Sequence, residues 1–195
     1  MRMKRICINC GSNSGARPEY METAIKLGRL ISNKGIELVY GGAEVGLMGA
    51  VASAAMKNGG KVIGVIPESF ADKVAADNLS ELHIVPTMHE RKKLMFELSD
   101  GFIALPGGMG TIEEVFEILT WAQLGLHQKP CGMINICGYF DRLLEFLDYS
   151  VDQLFIKRRH REMVLVSDGP EGLLAQFEKY KAPILEKWIK GASNN

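Results

Sequence analysis

The chain has 195 residues, of which 47% are hydrophobic, and its 23 Lys and Arg residues balance its 23 Asp and Glu residues. This length suits one domain with a sizeable core, and the charge balance argues against a dedicated nucleic-acid-binding or membrane-surface protein. The sequence shows no long apolar run, leader or lipidation signal. We therefore expect a cytoplasmic protein whose partner is a small molecule, with neither nucleic acid nor membrane as partner.

Seven apolar runs of strand length follow one another along the chain. They are RICINC, IELVYGG, KVIGVIP, LHIVP, GFIALPGG, CGMINIC and MVLVSDG, and most are separated by segments with helical period. Strands that are apolar on both faces and alternate with helices indicate a mostly parallel sheet with helices on both faces. We predict a doubly wound α/β fold with a single domain over residues 1–190 and a frayed tail at 191–195.

The first strand carries a Cys-x-x-Cys pair, Cys7 and Cys10, which raises the question of a redox or zinc site. Strand alternation points the two sulfur atoms to opposite faces of the sheet, which argues against a redox pair. The spacing of Cys131 and Cys137 does not supply a second zinc-binding pair. We predict buried free thiols in a reducing compartment, and no metal site.

The turns after four of the strands form the predicted ligand site, because ligands of such sheets lie beyond the carboxyl ends of the strands. These turns are GSNSG, GGAEVG, TMHERK and PGGMGT, after the first, second, fourth and fifth strands. Three of them expose backbone or small hydroxyls, which suits an anion held by amide groups at helix starts. The TMHERK turn adds a cation.

Neither common phosphate-binding motif fits these glycine-rich turns. The dinucleotide pattern G-x-G-x-x-G accepts Gly108 and Gly110 but requires glycine at Glu113. The mononucleotide pattern could start at Gly41 but meets Leu47 where it needs lysine. What remains is a glycine-rich turn that leads into the partly positive N-terminus of a helix, and we expect it to hold a single phosphate.

The helix after the fourth strand contains a charge in an unexpected place. Thr87 and Glu90 predict a capping box, so the helix should begin near Met88. On a helical wheel Arg91 falls within the apolar arc, where stranding a charge costs about 3 to 5 kcal/mol. Arg91 must therefore have an anionic partner. A structural salt bridge or a snorkelling side chain is one explanation, and contact with a ligand or with Glu114 is the other.

The stretch LPGGMGTIEE leads into the next helix. Thr111 and Glu114 could form an ordinary capping box. The three glycines before and between them, however, cost conformational entropy unless something approaches the backbone closely. Glu113 and Glu117 lie one turn apart while Glu114 points about 100° away from Glu113, so we expect only one of them to face the ligand. A first-turn carboxylate stays ionised, which suits a base or a stabiliser of positive charge.

These motifs together resemble the "lonely guy" family, the cytokinin-activating phosphoribohydrolases long labelled lysine-decarboxylase-like. The resemblance runs from CINCGSNSGARPEY through MHERK and PGGMGTIEE to TWAQLGLHQKPCGMINICGYFDRLLEFLD, which is nearly the whole chain. It implies a homodimeric, Rossmann-like enzyme. The implied reaction is hydrolysis of the N-glycosidic bond of N6-substituted adenosine 5′-monophosphates to the free base and ribose 5-phosphate.

The resemblance also implies which residues form the site. Arg91 and Glu114 match the arginine and the last glutamate that the family is taken to use in catalysis. Ala43 departs from the family, which usually has a third glycine there, and this leaves the shape of the base pocket open. The substrate-binding positions that carry over are Ser12, Gly41, Gly42, Met95, Gly108, Gly110 and Thr111.

Three other functions stay open at this point. A lysine decarboxylase would use pyridoxal phosphate on a lysine, and the plausible lysines, Lys61, Lys92 and Lys93, follow no recognisable cofactor pattern, so we expect no cofactor. A broader nucleosidase would split plain AMP or other monophosphates. A non-catalytic nucleotide sensor or carrier would keep the glycine turns, but it would have little reason to hold both Arg91 and Glu114 in place.

Overall fold

A computed structural model describes residues 3–74 and 79–183 of the chain. Seven strands alternate with helices along these ranges, at the seven places where the apolar runs predict them. The strands are β1 Arg5–Asn9, β2 Glu37–Tyr40, β3 Val62–Pro67, β4 Glu81–Val85, β5 Gly101–Ala104, β6 Cys131–Ile134 and β7 Val164–Ser167. The helices are α1 Pro18–Asn33, α2 Gly46–Lys57, α3 Glu68–Val74, α4 Met88–Leu98, α5 Met109–Gln123, α6 Asp141–Asp152, α7 Arg158–Arg161 and α8 Pro170–Lys179, with a 3₁₀ turn at Ile136–Gly138.

The strands form one sheet with the order β4-β3-β2-β1-β5-β6-β7, in which every pairing is parallel. Ile6 lies opposite Leu38 on one side of β1, and Cys7 lies opposite Phe102 on the other. The predicted doubly wound, Rossmann-like fold is confirmed. Because the strand order reverses between β1 and β5, the loops that follow these two strands diverge and leave a crevice between them.

Two apolar clusters, one on each face of the sheet, form the core. One packs side chains of α1, α2 and α8 against the sheet, and Cys10 belongs to it. The other packs α4, α5 and α6 against the opposite face, and Cys7 belongs to that one. The two sulfur atoms therefore lie on opposite faces, as the strand alternation predicts.

Three of the four cysteines are buried and free, but the prediction of burial is wrong for Cys137. Cys137 is exposed because it lies in the 3₁₀ turn after β6, with a φ of 56°, and not in the strand that the apolar run CGMINIC indicates. Burial raises the pKa of the Cys7, Cys10 and Cys131 thiols, in the last case to about 12. These three thiols therefore stay protonated at neutral pH.

Two predictions about the extent of the chain lie beyond what the structure describes. The frayed tail at 191–195 falls outside the described residues, and so does the end of the predicted domain at residue 190. Among the described residues, no helix is both long and apolar enough to cross a membrane.

Candidate active site

A cleft of about 400 Å³ opens at the carboxyl edge of the sheet, above β1, β2 and β5. Backbone hydrogen bonds join the three loops that surround it: the N–H of Gly11 donates to the carbonyl of Pro106 at 3.0 Å, and the N–H of Leu47 donates to the carbonyl of Gly11 at 3.1 Å. The loops therefore hold one another in place without help from a ligand. The volume lies within the range of small-molecule sites, about 300 to 1,000 Å³.

The glycine-rich loop presents the start of α5 to this cleft. The helix begins at Met109, its N-cap is Gly108, and no side chain caps it. The alternative that Thr111 and Glu114 form a capping box is therefore wrong, because Glu114 points to another partner. The backbone N–H groups of the first turn, which have no acceptor inside a helix, remain available to an anion at the positive end of the helix dipole.

Tyr139 fixes the orientation of this loop. Its hydroxyl donates a hydrogen bond to the carbonyl oxygen of Gly107 at 2.6 Å, and its ring packs edge-on against Tyr20 with the centroids 5.6 Å apart. In a trans peptide the carbonyl and the following N–H point in opposite directions. The N–H of Gly108 is therefore directed away from the Tyr139 hydroxyl, and the loop peptide cannot turn over without breaking this bond.

Arg91 and Glu114 form a largely buried ion pair at the base of the cleft. Nη1 of Arg91 lies 2.7 Å from Oε1 of Glu114, and the two side chains are 11% and 16% exposed. Nε of Arg91 also donates to the carbonyl of Val65 at 3.2 Å, so the guanidinium group is held on two sides. The prediction that Arg91 meets an anionic partner is confirmed, and that partner is Glu114.

The turn after β2 leaves room for this guanidinium group. A Cβ atom at Gly41 would collide with Nη2 of Arg91, so a side chain at this position would push the guanidinium group out of place. Both residues line the cleft. A glycine at this position therefore allows the guanidinium group to approach the backbone closely.

Most of the predicted site residues meet in the cleft, and two do not. Gly42 packs against Val65 and Ile66, away from the cleft, and its φ of 75° belongs to the turn after β2. Met95 is 4% exposed and lies in the core. Those that line the cleft are Ser12, Gly41, Arg91, Gly108, Gly110, Thr111 and Glu114.

Several residues of the site are not marked by the sequence motifs. Asn9 and Tyr20 line the cleft together with Tyr139. Asn9 is 4% exposed, and its Oδ1 accepts a hydrogen bond from the Cys7 thiol at 3.3 Å. An amide at the end of an apolar strand is the signal that could have revealed Asn9, whereas the tyrosines come from α1 and from the chain before α6, and no local pattern marks them.

The family model described as "Possible lysine decarboxylase" matches residues 48–177. The cytokinin riboside 5′-monophosphate phosphoribohydrolase LOG7 of Arabidopsis thaliana is 45% identical over 181 residues, which cover 92% of this chain and 83% of that protein. A probable enzyme of the same name from Oryza sativa subsp. japonica, LOGL9, is 46% identical over 180 residues, covering 92% of this chain and 79% of that protein.

Solved structures of a molybdenum cofactor binding protein and of a molybdenum cofactor carrier protein share the fold. The molybdenum cofactor binding protein from Rippkaea orientalis aligns with a TM-score of 0.70 and 26% identity, covering 92% of this chain and 98% of that one. The molybdenum cofactor carrier protein of Chlamydomonas reinhardtii aligns with a TM-score of 0.71 and 22% identity, covering 91% and 98%. The second likeness shows the fold alone.

The lysines that a decarboxylase would need do not fit a cofactor in this cleft. Lys61 pairs with Glu37 and Glu81 at the opposite edge of the sheet, and Lys93 is 72% exposed on the outside of α4. Lys92 is bound by two carboxylates behind the cleft. None of the three lines the cleft, so within residues 3–74 and 79–183 the site offers no lysine for a Schiff base with pyridoxal phosphate.

Proposed function

Since the chain belongs to the family of the cytokinin riboside 5′-monophosphate phosphoribohydrolases, we propose that it hydrolyses the N-glycosidic bond of N6-substituted adenosine 5′-monophosphates. The products are the free base and ribose 5-phosphate. The observation that carries this proposal is the buried Arg91–Glu114 pair beside the uncapped N-terminus of α5. A nucleoside monophosphate has one phosphate for that helix terminus and one glycosidic bond for the pair.

The 5′-phosphate binds at the glycine-rich loop. The first-turn amides of α5, from Gly108 to Thr111, supply N–H donors and the positive end of the helix dipole. Gly108 and Gly110 have no neighbouring atom within 4 Å of a Cβ position, so the backbone of the loop is open to the cleft at these two residues. This arrangement suits a single phosphate better than a diphosphate.

Glu114 acts on the ribose, which lies over the first turn of α5 once the phosphate is bound. Cleavage of a glycosidic bond develops positive charge on the sugar, as in other glycosidases with an oxocarbenium-like transition state. An ionised carboxylate at this place stabilises that charge and orients or deprotonates the attacking water. The ion pair with Arg91 fixes the position of this carboxylate at the base of the cleft.

Arg91 acts on the leaving group of the reaction. Negative charge develops on the departing purine, and a guanidinium group, which is always protonated, neutralises charge better than it delivers a proton. Nη1 and Nε are occupied by Glu114 and Val65, and Nη2 lies against Gly41 in the cleft. Arg91 therefore positions Glu114 through Nη1 and presents Nη2 to the ligand.

The test is to incubate the purified protein with AMP and with N6-isopentenyl-AMP and to follow the free base by chromatography. Wild-type protein should release the base, and the ratio of the two kcat/KM values sets the breadth of the substrate. Glu114→Gln and Arg91→Ala should each lower kcat by at least about 100-fold. Glu97→Gln, an exposed carboxylate on α4, is the matched control and should leave the rate unchanged.

A carrier function is the second candidate, because the Rippkaea orientalis protein of the same fold is described as binding the molybdenum cofactor and is 26% identical to this chain. A carrier would bind its anionic ligand at the same helix terminus without turnover. If both nucleotides bind but neither is cleaved, the carrier function replaces the hydrolase. Release of base by wild type and loss of that release in Glu114→Gln exclude it.

We also propose that the protein is a cytoplasmic homodimer. Large apolar side chains on α6 and in the segment that follows it are exposed, with Phe146 at 60%, Leu154 at 90% and Phe155 at 88%, and exposed apolar side chains of this size suit contact with a second chain. Free thiols suit a reducing compartment. Light scattering should give twice the 21.5 kDa of the chain. A monomeric mass, or activity outside the cytoplasmic fraction, would contradict the proposal.

A further inference from the structure

Two neighbouring cations on α4 reach the first turns of α5. Arg91 binds Glu114, whereas Lys92 binds both Glu113 and Glu117, the latter at 3.1 Å. The Lys92 side chain is only 10% exposed, although lysine is among the residues most often left in water. A lysine buried at this place must therefore be held by its two carboxylates, and it joins α4 to α5 beside the proposed catalytic pair.

Lys92 lies directly behind Glu114. A second, much smaller cavity lies under the cleft, and Lys92, Glu114, Asn9 and Met95 are among the residues that line it. Glu114 lines both cavities and so stands between them. The face of Glu114 that does not look into the cleft is therefore enclosed by groups that include Lys92.

The distribution of charge between the two helices depends on Lys92. Three carboxylates of α5 meet two cations of α4, and Lys92 takes up Glu113 and Glu117, which leaves Glu114 to Arg91. Burial lowers the pKa of Lys92, but the hydrogen bonds that its ammonium group donates to Glu113 and Glu117 outweigh that effect and raise the pKa overall. Lys92 therefore stays charged at neutral pH and can hold both carboxylates.

We propose that Lys92 is a positioning residue for the hydrolysis. It fixes the first two turns of α5 against α4 and keeps Glu113 and Glu117 away from Arg91, so that Arg91 holds Glu114 in one orientation beneath the ribose. This inference rests on the proposed function. Because Lys92 does not line the cleft, it acts through Glu114 and not on the nucleotide.

The test compares steady-state kinetics of Lys92→Met, Lys92→Arg and Lys93→Met with the same nucleotides. Lys92→Met should lower kcat by about 10- to 100-fold, because small displacements of a catalytic group have effects of that size. Its KM should change by less than about threefold, because the loop amides that hold the phosphate are untouched. Lys92→Arg can still reach both carboxylates, so it should restore kcat to within about fivefold of wild type.

Lys93→Met is the matched control, because it makes the same substitution one residue further along α4, at a side chain that is 72% exposed. It should behave as wild type. Circular dichroism of each variant establishes that the kinetics are measured on folded protein. A lower melting temperature for Lys92→Met with an unchanged kcat would mean that Lys92 is merely structural and would overturn the proposal.

A second variant covers the case in which Lys92→Met does not fold. Glu113→Gln/Glu117→Gln keeps the lysine and removes its anionic partners, so Lys92 is free to compete with Arg91 for Glu114. The proposal expects a lower kcat with KM held, and an unchanged kcat contradicts it. Failure of the proposed function and failure of the proposed role of Lys92 give different results. If the wild-type protein releases no base, the proposed function is wrong. If the wild-type protein is active and these variants are equally active, only the role of Lys92 is wrong.

Discussion

Tyr139 contributes one hydrogen bond to the site, and that bond holds the peptide that precedes the proposed phosphate-binding amides. Tyr139→Phe removes the bond to the Gly107 carbonyl but keeps the ring that packs against Tyr20. Since one such bond contributes about 1 kcal/mol, KM for AMP should rise roughly fivefold while kcat changes little. Tyr149→Phe, at an exposed tyrosine of α6, is the control. An unchanged KM for Tyr139→Phe would show that the loop keeps its orientation without the bond.

Arg91 and Glu114 could be predicted from the sequence, because each departs from a local rule. Arg91 interrupts an apolar arc and Glu114 follows a run of glycines that a simple helix cap does not need. The role of Lys92 could not be predicted from the sequence. On a helical wheel Lys92 lies only at the flank of the apolar arc, and its burial depends on two carboxylates supplied by another helix. Local patterns reveal conflicts within an element, but not partners between elements.

The start of α4 is the element on which the position of Arg91 depends, and its capping box is confirmed. Oγ1 of Thr87 accepts from the N–H of Glu90 at 3.2 Å, and Oε2 of Glu90 accepts from the N–H of Thr87 at 3.1 Å. Thr87→Ala should therefore lower the free energy of unfolding by about 1 kcal/mol. Thr120→Ala, which removes an exposed threonine within α5, should change it by less than about 0.5 kcal/mol. Urea denaturation of both variants measures the difference, and equal stabilities would contradict a stabilising cap.

At the start of α5 the same spacing leaves a capping box open as an alternative, and the structure excludes it. Thr111 and Glu114 have the spacing of a capping box, but the helix begins two residues earlier, so Thr111 is inside the first turn and not at the N-cap. Arg91 from α4 binds the glutamate instead. An ion pair of low exposure outweighs a local cap worth about 1 kcal/mol. Helix boundaries are thus predictable where only local interactions act, as at Thr87, and not where a second element competes for the capping side chain.

At the scale of the whole molecule, the strand order brings distant residues to one edge. The loops after β1, β2 and β5 come together because β1 lies between β2 and β5 in the sheet. The alternation of apolar runs and helices predicts the parallel sheet and hence the edge on which the ligand lies. It does not predict strand order, which depends on long-range packing. The resemblance implies Gly42 and Met95 as binding positions, whereas the structure places Gly42 behind the cleft and Met95 in the core.

The location of each cysteine predicts how fast its thiol reacts with a reagent in solution. Cys7, Cys10 and Cys131 are buried in the core, whereas Cys137 lies exposed in the turn after β6. Burial also raises the pKa of the first three, in the case of Cys131 to about 12, so at about pH 8 they lack both access and the reactive thiolate form. Ellman's reagent should therefore modify one thiol per native chain rapidly, and Cys137→Ser should abolish that phase.

Unfolding in urea should make all four cysteines of the sequence reactive. Cys131→Ser is the control, because it should leave the rapid phase of the native protein intact and remove one thiol from the unfolded count. The rate of the slow native phase then reports how often the sheet opens, since buried thiols react through transient exposure. A second rapid thiol in the native protein would mean that one face of the sheet is less well covered than the two apolar clusters indicate.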